Sequence, residues 1–207
     1  MVKSLKSISL EDILSMEKRY RATFINSLTG FKSVSLVGSQ DLSGQTNLAI
    51  FNSIVHLGAH PPLIGMVVRP DSVDRHTLQN IEETGVYTLN QISPGFIERA
   101  HQTSARYPKE VSEFEAVGLT PEYKGDFIAP FVSESVIQLG MELKEKVPFA
   151  INGTLFIIGE VKHVYLPDEI IQEDGFVDLH AASSITNSGL DSYHIVLKGK
   201  RYPYAKP

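Results

Sequence analysis

The chain contains no cysteine, which excludes disulfides, thiolate metal sites and iron–sulfur clusters and is compatible with a reducing compartment. It has no excess of basic charge either. Nineteen Lys and Arg against 24 Asp and Glu leave a formal net charge of −5, and no basic cluster offsets it, so no nucleic-acid partner is expected. No stretch approaches the roughly 20 apolar residues of a membrane-spanning helix. The opening MVKSLKSISLEDILSMEKRY is amphipathic and interrupted by charge, without the apolar core of a secretory signal. The expectation is a cytoplasmic protein with no membrane partner. Catalytic signatures are missing as well: there is no GxGxxG, no Walker A loop, no GxSxG and no Ser–His–acid pattern. His101 with Thr103 and Ser104 forms no triad. His56 and His60 are four apart, but in a strand–turn context beside Pro61 with no carboxylate at ligand spacing, so no metal site is expected. Internal repeats and low-complexity linkers are absent. One domain over residues 1–207 is expected, with an N-terminal helix (about 9–29) and a C-terminal tail (about 198–207).

What is present is enough apolar material for a sizeable core: 42% hydrophobic residues against 21% charged. Ser9 followed by Glu11 and Asp12 reads as a helix start. Apolar residues from Leu10 to Leu28 recur near helical spacing, with a break around Ser15–Glu17 and Gly30 as the stop. This helix is expected to cover one mouth of a barrel. From Phe31 the period becomes two. Phe31–Gly38 reads as a strand, Asp41–Gly44 as a hairpin turn and Thr46–Leu57 as the return strand. Leu63–Val68 is nearly all apolar, as a strand buried on both faces would be. A short helix over His76–Thr84 ends at Gly85, and Val86–Gln91 returns to strand. A helix is predicted from Gly95 to Ser104, then a polar excursion with short helical turns. Long strands are predicted over Phe131–Leu143 and Ala150–Leu166, with a turn or bend at Asn152-Gly153, and a last short one over Tyr193–Leu197. Strands outnumber helices and many are joined by short turns, which favours a mainly β antiparallel barrel with peripheral helices over an alternating βαβ sheet.

The stretch from Thr46 to Asn90 carries the chemistry. Arg69 ends a strand, an acidic turn follows, and Arg75-His76-Thr77 open a helix, with Asn80 one turn on. Free amides and the dipole at a helix start favour an anion, and guanidinium forks suit phosphate oxygens. The competing reading is that Asp71 or Asp74 caps the helix while the arginines pair with those acids. Asn47, Asn52 and Ser53 interrupt an otherwise apolar strand. Alternation places Asn47 and Ser53 on one face, with Ala49 and Phe51 between them, and Asn52 on the other. Their partners are either a flat heteroaromatic ligand or internal hydrogen bonds near a strand bend. With no nucleophile or acid–base dyad in the chain, no side chain is expected to be catalytic, and the chemistry is assigned to a bound phosphorylated cofactor. The tail LKGKRYPYAKP sets Tyr202 and Tyr204 among Lys198, Lys200 and Arg201, to pack on a ligand or a partner subunit, or to fray.

Several blocks resemble the flavin reductase-like FMN-binding split-barrel family, in its flavoredoxin-like branch. They are GFKSVSLVGS at 30–39, GQTNLAIFNSIVHLGAHPPLIGMVVRP at 44–70 and RHTLQNIEETGVYTLN at 75–90, supported by 101–120, 129–135 and 152–161. The resemblance implies a six-stranded antiparallel Greek-key split barrel that forms a homodimer, with FMN near the subunit interface. The flavin ring would border the strand carrying Asn47, Leu48, Ala49, Phe51, Asn52 and Ser53. Its phosphate would lie by Thr77 and Asn80, with Arg69, Arg75 and His76 beside them. His76 departs from the family, many members of which carry an acidic residue there. The implied function is a flavin-reductase-type oxidoreductase, passing electrons from NADH or NADPH through FMN to free flavin, an acceptor protein or oxygen. Two alternatives stand beside it. One is a non-enzymatic FMN-binding electron carrier. The other is a pyridoxamine-phosphate-oxidase-like enzyme, for which the C-terminal KGKRY would form a second phosphate pocket.

Overall fold

A computed structural model describes residues 5–69 and 75–206. Ser9 and Asp12 form a reciprocal cap at the first helix, α1 (Leu10–Ser15): the Ser9 hydroxyl accepts the Asp12 amide at 3.1 Å and the Asp12 carboxylate accepts the Ser9 amide at 2.8 Å. Extended backbone at Met16 ends it. The Glu17 carboxylate then accepts the Arg19 and Tyr20 amides and starts α2 (Lys18–Leu28). The expected break thus occurs where the chain needs a second cap. The expectation that this helix covers a barrel mouth is not met, because neither α1 nor α2 buries a residue. Leu10, Leu14 and Leu28 are 62–70% exposed. A barrel end is covered instead by α3 (His76–Thr84), whose Leu78 and Ile81 join the interior cluster of Val37, Met66, Tyr87, Met141 and Ile157.

Among the described residues the largest sheet has seven strands. They are β2 (Ser35–Gln40), β3 (Thr46–Phe51), β4 (Ile54–Ala59), β5 (Pro62–Val68), β6 (Val86–Gln91), β9 (Gln138–Phe149) and β10 (Thr154–Tyr165), in the order β3-β2-β6-β9-β10-β5-β4. Strands β3 and β4 are two residues apart in sequence yet stand at opposite ends of that order, so the sheet closes on itself. The predicted Thr46–Leu57 strand is this pair, bent at Asn52-Ser53. Counted as one strand it would give the six expected; counted by hydrogen bonding it gives seven. Strand β6 returns beside β2 after the β2–β5 meander, which is the Greek-key order. The β5–β6 connection must therefore cross a barrel end, and α3 lies within it. Gly85, at φ 75°, stops α3 one residue before β6.

Alternation sorts the side chains. Positions 37 of β2, 66 and 68 of β5, 87 and 89 of β6, and 141 of β9 point inward. Leu36, Leu48 and Ile92 point outward into a second cluster with Phe96, Ala100, Phe114 and Val117. Those residues come from a 3-10 turn at Pro94–Phe96, α4 (Ile97–Gln102) and α5 (Glu113–Val117). The expectation of a strand buried on both faces at 63–68 holds in part: Ile64, Met66 and Val68 serve the interior, whereas Leu63 and Val67 are only half-buried.

The predicted strand Phe131–Leu143 is in fact two. The segment Ser133–Ile137 separates β8 (Phe127–Val132), paired with β7 (Pro121–Lys124), from β9. Asn90 anchors β8 to the barrel by accepting the Val132 amide at 3.0 Å and donating to the Leu36 carbonyl and the Thr88 hydroxyl. Asn152-Gly153 is the β9–β10 turn, as expected. A small sheet of β1 (Lys32–Ser33), β11 (Ile185–Ser188) and β12 (Ser192–Ile195) completes the fold; β11 was not legible in the sequence. No helix among the described residues is long and apolar enough to cross a membrane.

Candidate functional site

Arg75 stands just before the first residue of α3, and no side chain among the described residues caps the helix. Nothing among those residues competes for its first amides. The acidic turn at 70–74, including Asp71 and Asp74, lies outside the described residues. Arg75 is half-buried, and its Nε is shielded from solvent with no hydrogen-bond partner among the described residues. Burial, then the nearby charges of Arg69 and Arg106, pushes the Arg75 guanidinium pKa down. Lys32 is pushed down likewise, by burial first and Arg69 second. Four cations thus crowd the junction of β5, α3, the β1 strand and the loop after α4. Lys32 and Arg106 were missed in the sequence because they lie 37 positions from Arg69 and 31 from Arg75, the charges they act on.

Thr77 and Asn80 are buried and point back to the barrel. Asn47 donates from Nδ2 to the Thr77 hydroxyl at 2.8 Å, and Asn80 donates to the Ser39 hydroxyl at 3.2 Å. These bonds dock α3 on β2 and β3. The Thr77 hydroxyl, used only as an acceptor there, keeps its own proton for another partner. His76 lies over a small depression lined by Asp41, Gln45, Asn47, Asn80 and Lys109, facing the β2–β3 turn. Ser39 was not singled out from the sequence, although it shares the inward parity of Val37.

Strand β3 pairs on one side only, with β2. The Leu48 amide points away from β2 and donates to Glu113 Oε2 at 2.9 Å. Alternation then commits the amides of Asn47, Ala49 and Phe51 to β2 and turns those of Thr46 and Ile50 outward with Leu48. Ile50 has no side-chain acceptor among the described residues. Of the strand expected to border the ring, only these alternate amides are turned away from β2. Leu48 itself is a core residue, and Phe51 packs against the interior cluster.

Asn52 resolves toward internal hydrogen bonding. Its Nδ2 donates to Asn187 Oδ1 at 2.7 Å and to the Gly189 carbonyl at 3.1 Å, fixing the β3–β4 bend to the β11–β12 hairpin. Ser53 uses its carbonyl to accept the Val67 amide at 2.9 Å. Asn47, His76, Thr77 and Asn80 are brought together at one end of β3, with Arg69 and Arg75 at the cationic junction. Asn52 and Ser53 stand at its other end. In the tail, Arg201 donates to Asp174 at 2.6 Å and Gln172 at 2.9 Å and covers the Phe176 ring, while Lys198 lies 3.8 Å from Asp178.

Among the described residues, a helix start without a side-chain cap lies with cations around it, near the unpaired side of β3 in a β-barrel. The sequence model of the flavin reductase like domain family matches residues 31–181, and the chain belongs to that family. A crystal structure of a candidate flavin reductase with split barrel domain from Shewanella frigidimarina is 54% identical, with a TM-score of 0.93 over 97% of this chain and 100% of that one. Nitrilotriacetate monooxygenase component B from Bacillus cereus (20% identical, TM-score 0.83, 98% and 100% covered) shares the fold. So does flavoredoxin of Desulfovibrio vulgaris (20%, 0.74, 85% and 92%). The class is a flavin-linked oxidoreductase.

Proposed function

We propose that this protein binds FMN and acts as a flavin-reductase-type oxidoreductase, taking electrons from NADH or NADPH and delivering them to free flavin or another acceptor. The observation that carries the reading is Arg75: a guanidinium nitrogen shut off from water and crowded by other cations, at a helix start, with neither a partner for it nor a cap for the helix among the described residues. A phosphate would satisfy all of these at once. In this reading Arg75, Arg69 and the first α3 amides hold the phosphate. His76 adds charge when protonated, and the Thr77 proton is available to the same oxygens. Thr77 and Asn80 also fix the helix against Asn47 and Ser39. The Ile50 amide, in the middle of β3, is the donor offered to the ring. Bound FMN supplies the redox chemistry, which is why no side-chain nucleophile or base is required. The chain's part is to orient the cofactor and keep water from the buried side of the helix start.

A homodimer belongs to the same proposal, since the exposed Leu10, Leu14, Tyr20 and Leu28 of α1 and α2 offer apolar surface for a second subunit. Lys198 and Arg201 of the tail are engaged by Asp178 and Asp174, which argues against KGKRY as a second phosphate pocket. The test is gel filtration of the protein after incubation with FMN, followed by steady-state oxidation of NADH and NADPH. Yellow protein that oxidises either donor meets the proposal. Yellow protein inert toward both is an electron carrier, and colourless protein refutes FMN binding.

A further inference from the structure

Glu113 stands outside the phosphate site, yet it is 6% exposed and carries an ionisable group into an apolar cluster with Leu48, Phe114 and Val117. Two bonds fasten its turn to β3. Ser112 and Thr46 share a hydrogen bond between hydroxyls at 2.6 Å, and the Leu48 amide donates to Glu113 Oε2 at 2.9 Å. A carboxylate is a costly acceptor for one amide, since a neutral oxygen would serve without desolvating a charge. The amide that it holds, Leu48, lies two residues before Ile50 on the unpaired side of β3. Of the other elements packed here, β3 contributes only Thr46 and Leu48. Glu115 of α5 and Glu98 of α4 are solvent-exposed.

The elements α3 and β3 are tied on the barrel's inner side by Asn47 and Thr77. Glu113 holds β3 from the outer side, through the Leu48 amide. The phosphate and ring of FMN are joined covalently, so a protein that grips both must hold helix and strand at one spacing. We propose that Glu113 is a positioning residue of the flavin site, holding β3 from the outer side while the Asn47–Thr77 bond sets it against the start of α3. This rests on the FMN reading above.

Titration of FMN and riboflavin into wild type, E113A and E113Q, followed by flavin fluorescence and visible circular dichroism, tests it. Glutamine keeps an oxygen for the Leu48 amide; alanine does not. E113A is expected to weaken both ligands by about tenfold, the scale of one lost buried hydrogen bond to a charged acceptor, and to alter the visible dichroism with far-ultraviolet dichroism unchanged. E113Q is expected to recover most of that loss. Wild-type affinity in E113A, or loss confined to FMN, overturns the proposal. If E113A does not fold, E113M decides, since it fills the space without an acceptor: weakened binding of both flavins supports the positioning role and wild-type affinity refutes it. Wild type that binds neither flavin would refute the FMN reading itself, a different result from variants that bind as wild type does.

Discussion

Arg75→Met is the substitution most informative about the anion site, because its two expected effects have opposite signs. In the ligand-free protein the Arg75 Nε is buried without a partner among the described residues, and Arg69 and Arg106 add like charge. Methionine keeps much of the stem's packing and removes the unpaired donor. An unsatisfied buried polar group costs about 1–3 kcal/mol. Partial exposure of this side chain reduces that, so a gain of about 1 kcal/mol is expected, or roughly 2–4 °C in Tm for a chain of this size. FMN binding should move the other way. A charge-assisted bond to phosphate is worth about 1.5–3 kcal/mol, which is about 10- to 150-fold in Kd. Riboflavin, lacking the phosphate, should bind the variant and wild type alike. Thermal melts with and without excess FMN, plus fluorescence titration of both flavins, measure all three quantities. A variant that is less stable without ligand yet binds FMN normally would show that Arg75 is held by the protein's own acids, and the argument for a phosphate there would fail. Equal loss of FMN and riboflavin would place the defect at the ring end instead.

Three further outcomes are expected. Replacing Thr77 and Asn80 together by alanine should weaken FMN much more than riboflavin, at a stability cost of about 1–3 kcal/mol for each buried partner left on Asn47 and Ser39; urea melts alongside titration separate the two effects. In Gly38→Ala the new methyl would meet the Pro130 carbonyl oxygen at 2.1 Å and Thr88 Oγ1 at 2.6 Å. The first of these is backbone that cannot swing aside, so a loss of about 3 kcal/mol is expected, and a wild-type melting temperature would refute the packing of β8 on β2. Burial pushes the Glu113 carboxyl above its ordinary 4.5, so the native state keeps a proton that the unfolded chain has released. Its contribution to stability is full below 4.5 and is lost as pH rises through the higher native value. The stability difference between wild type and E113Q should therefore shift against wild type with rising pH across that window, and a pH-independent difference would contradict a buried, titrating carboxyl.

Much of this was legible in the sequence where local chemistry decides the structure. The α3 helix and β6 fall at the predicted residues because Gly85 at positive φ supplies an unambiguous stop between them. Alternation in β3 was read correctly, since period two follows from the strand itself. The failures have distant causes. Nothing near Asn52 announces that the strand bends there; its partners are Asn187 and Gly189. Nor does the amphipathic pattern of residues 10–28 say whether its apolar face meets this barrel or another surface. Residues 131–143 read as one strand because Ile137 and Leu139 continue the apolar pattern across a turn whose geometry is set by contacts of Ser133 and Ser135 with Thr120 and Val132. Glu113 looked like one more acid in a polar excursion. Only the spacing of Phe114, Val117 and Leu119 hinted that its turn is buried.

The distribution of satisfied and open groups along β3 also limits where a ligand can approach. At its start, Asn47 is tied to α3 and Leu48 to Glu113; at its end, Asn52 is tied to the β11–β12 hairpin. The outward amide of Ile50 lies between these fixed points. A strand held at both ends and open in the middle loses little conformational freedom when its free donor finds an acceptor, so ordering the strand takes little from the affinity. In the proposed site the phosphate would lie at the cationic junction, where Arg69 is exposed. The two halves of the proposed FMN site are therefore built differently: a rigid, nearly neutral edge for the ring, and a crowded positive junction for the phosphate whose own repulsion is relieved by the ligand. That asymmetry explains why Arg75 and Glu113 should respond to substitution in different ways, the first trading stability for phosphate affinity and the second changing both flavins together.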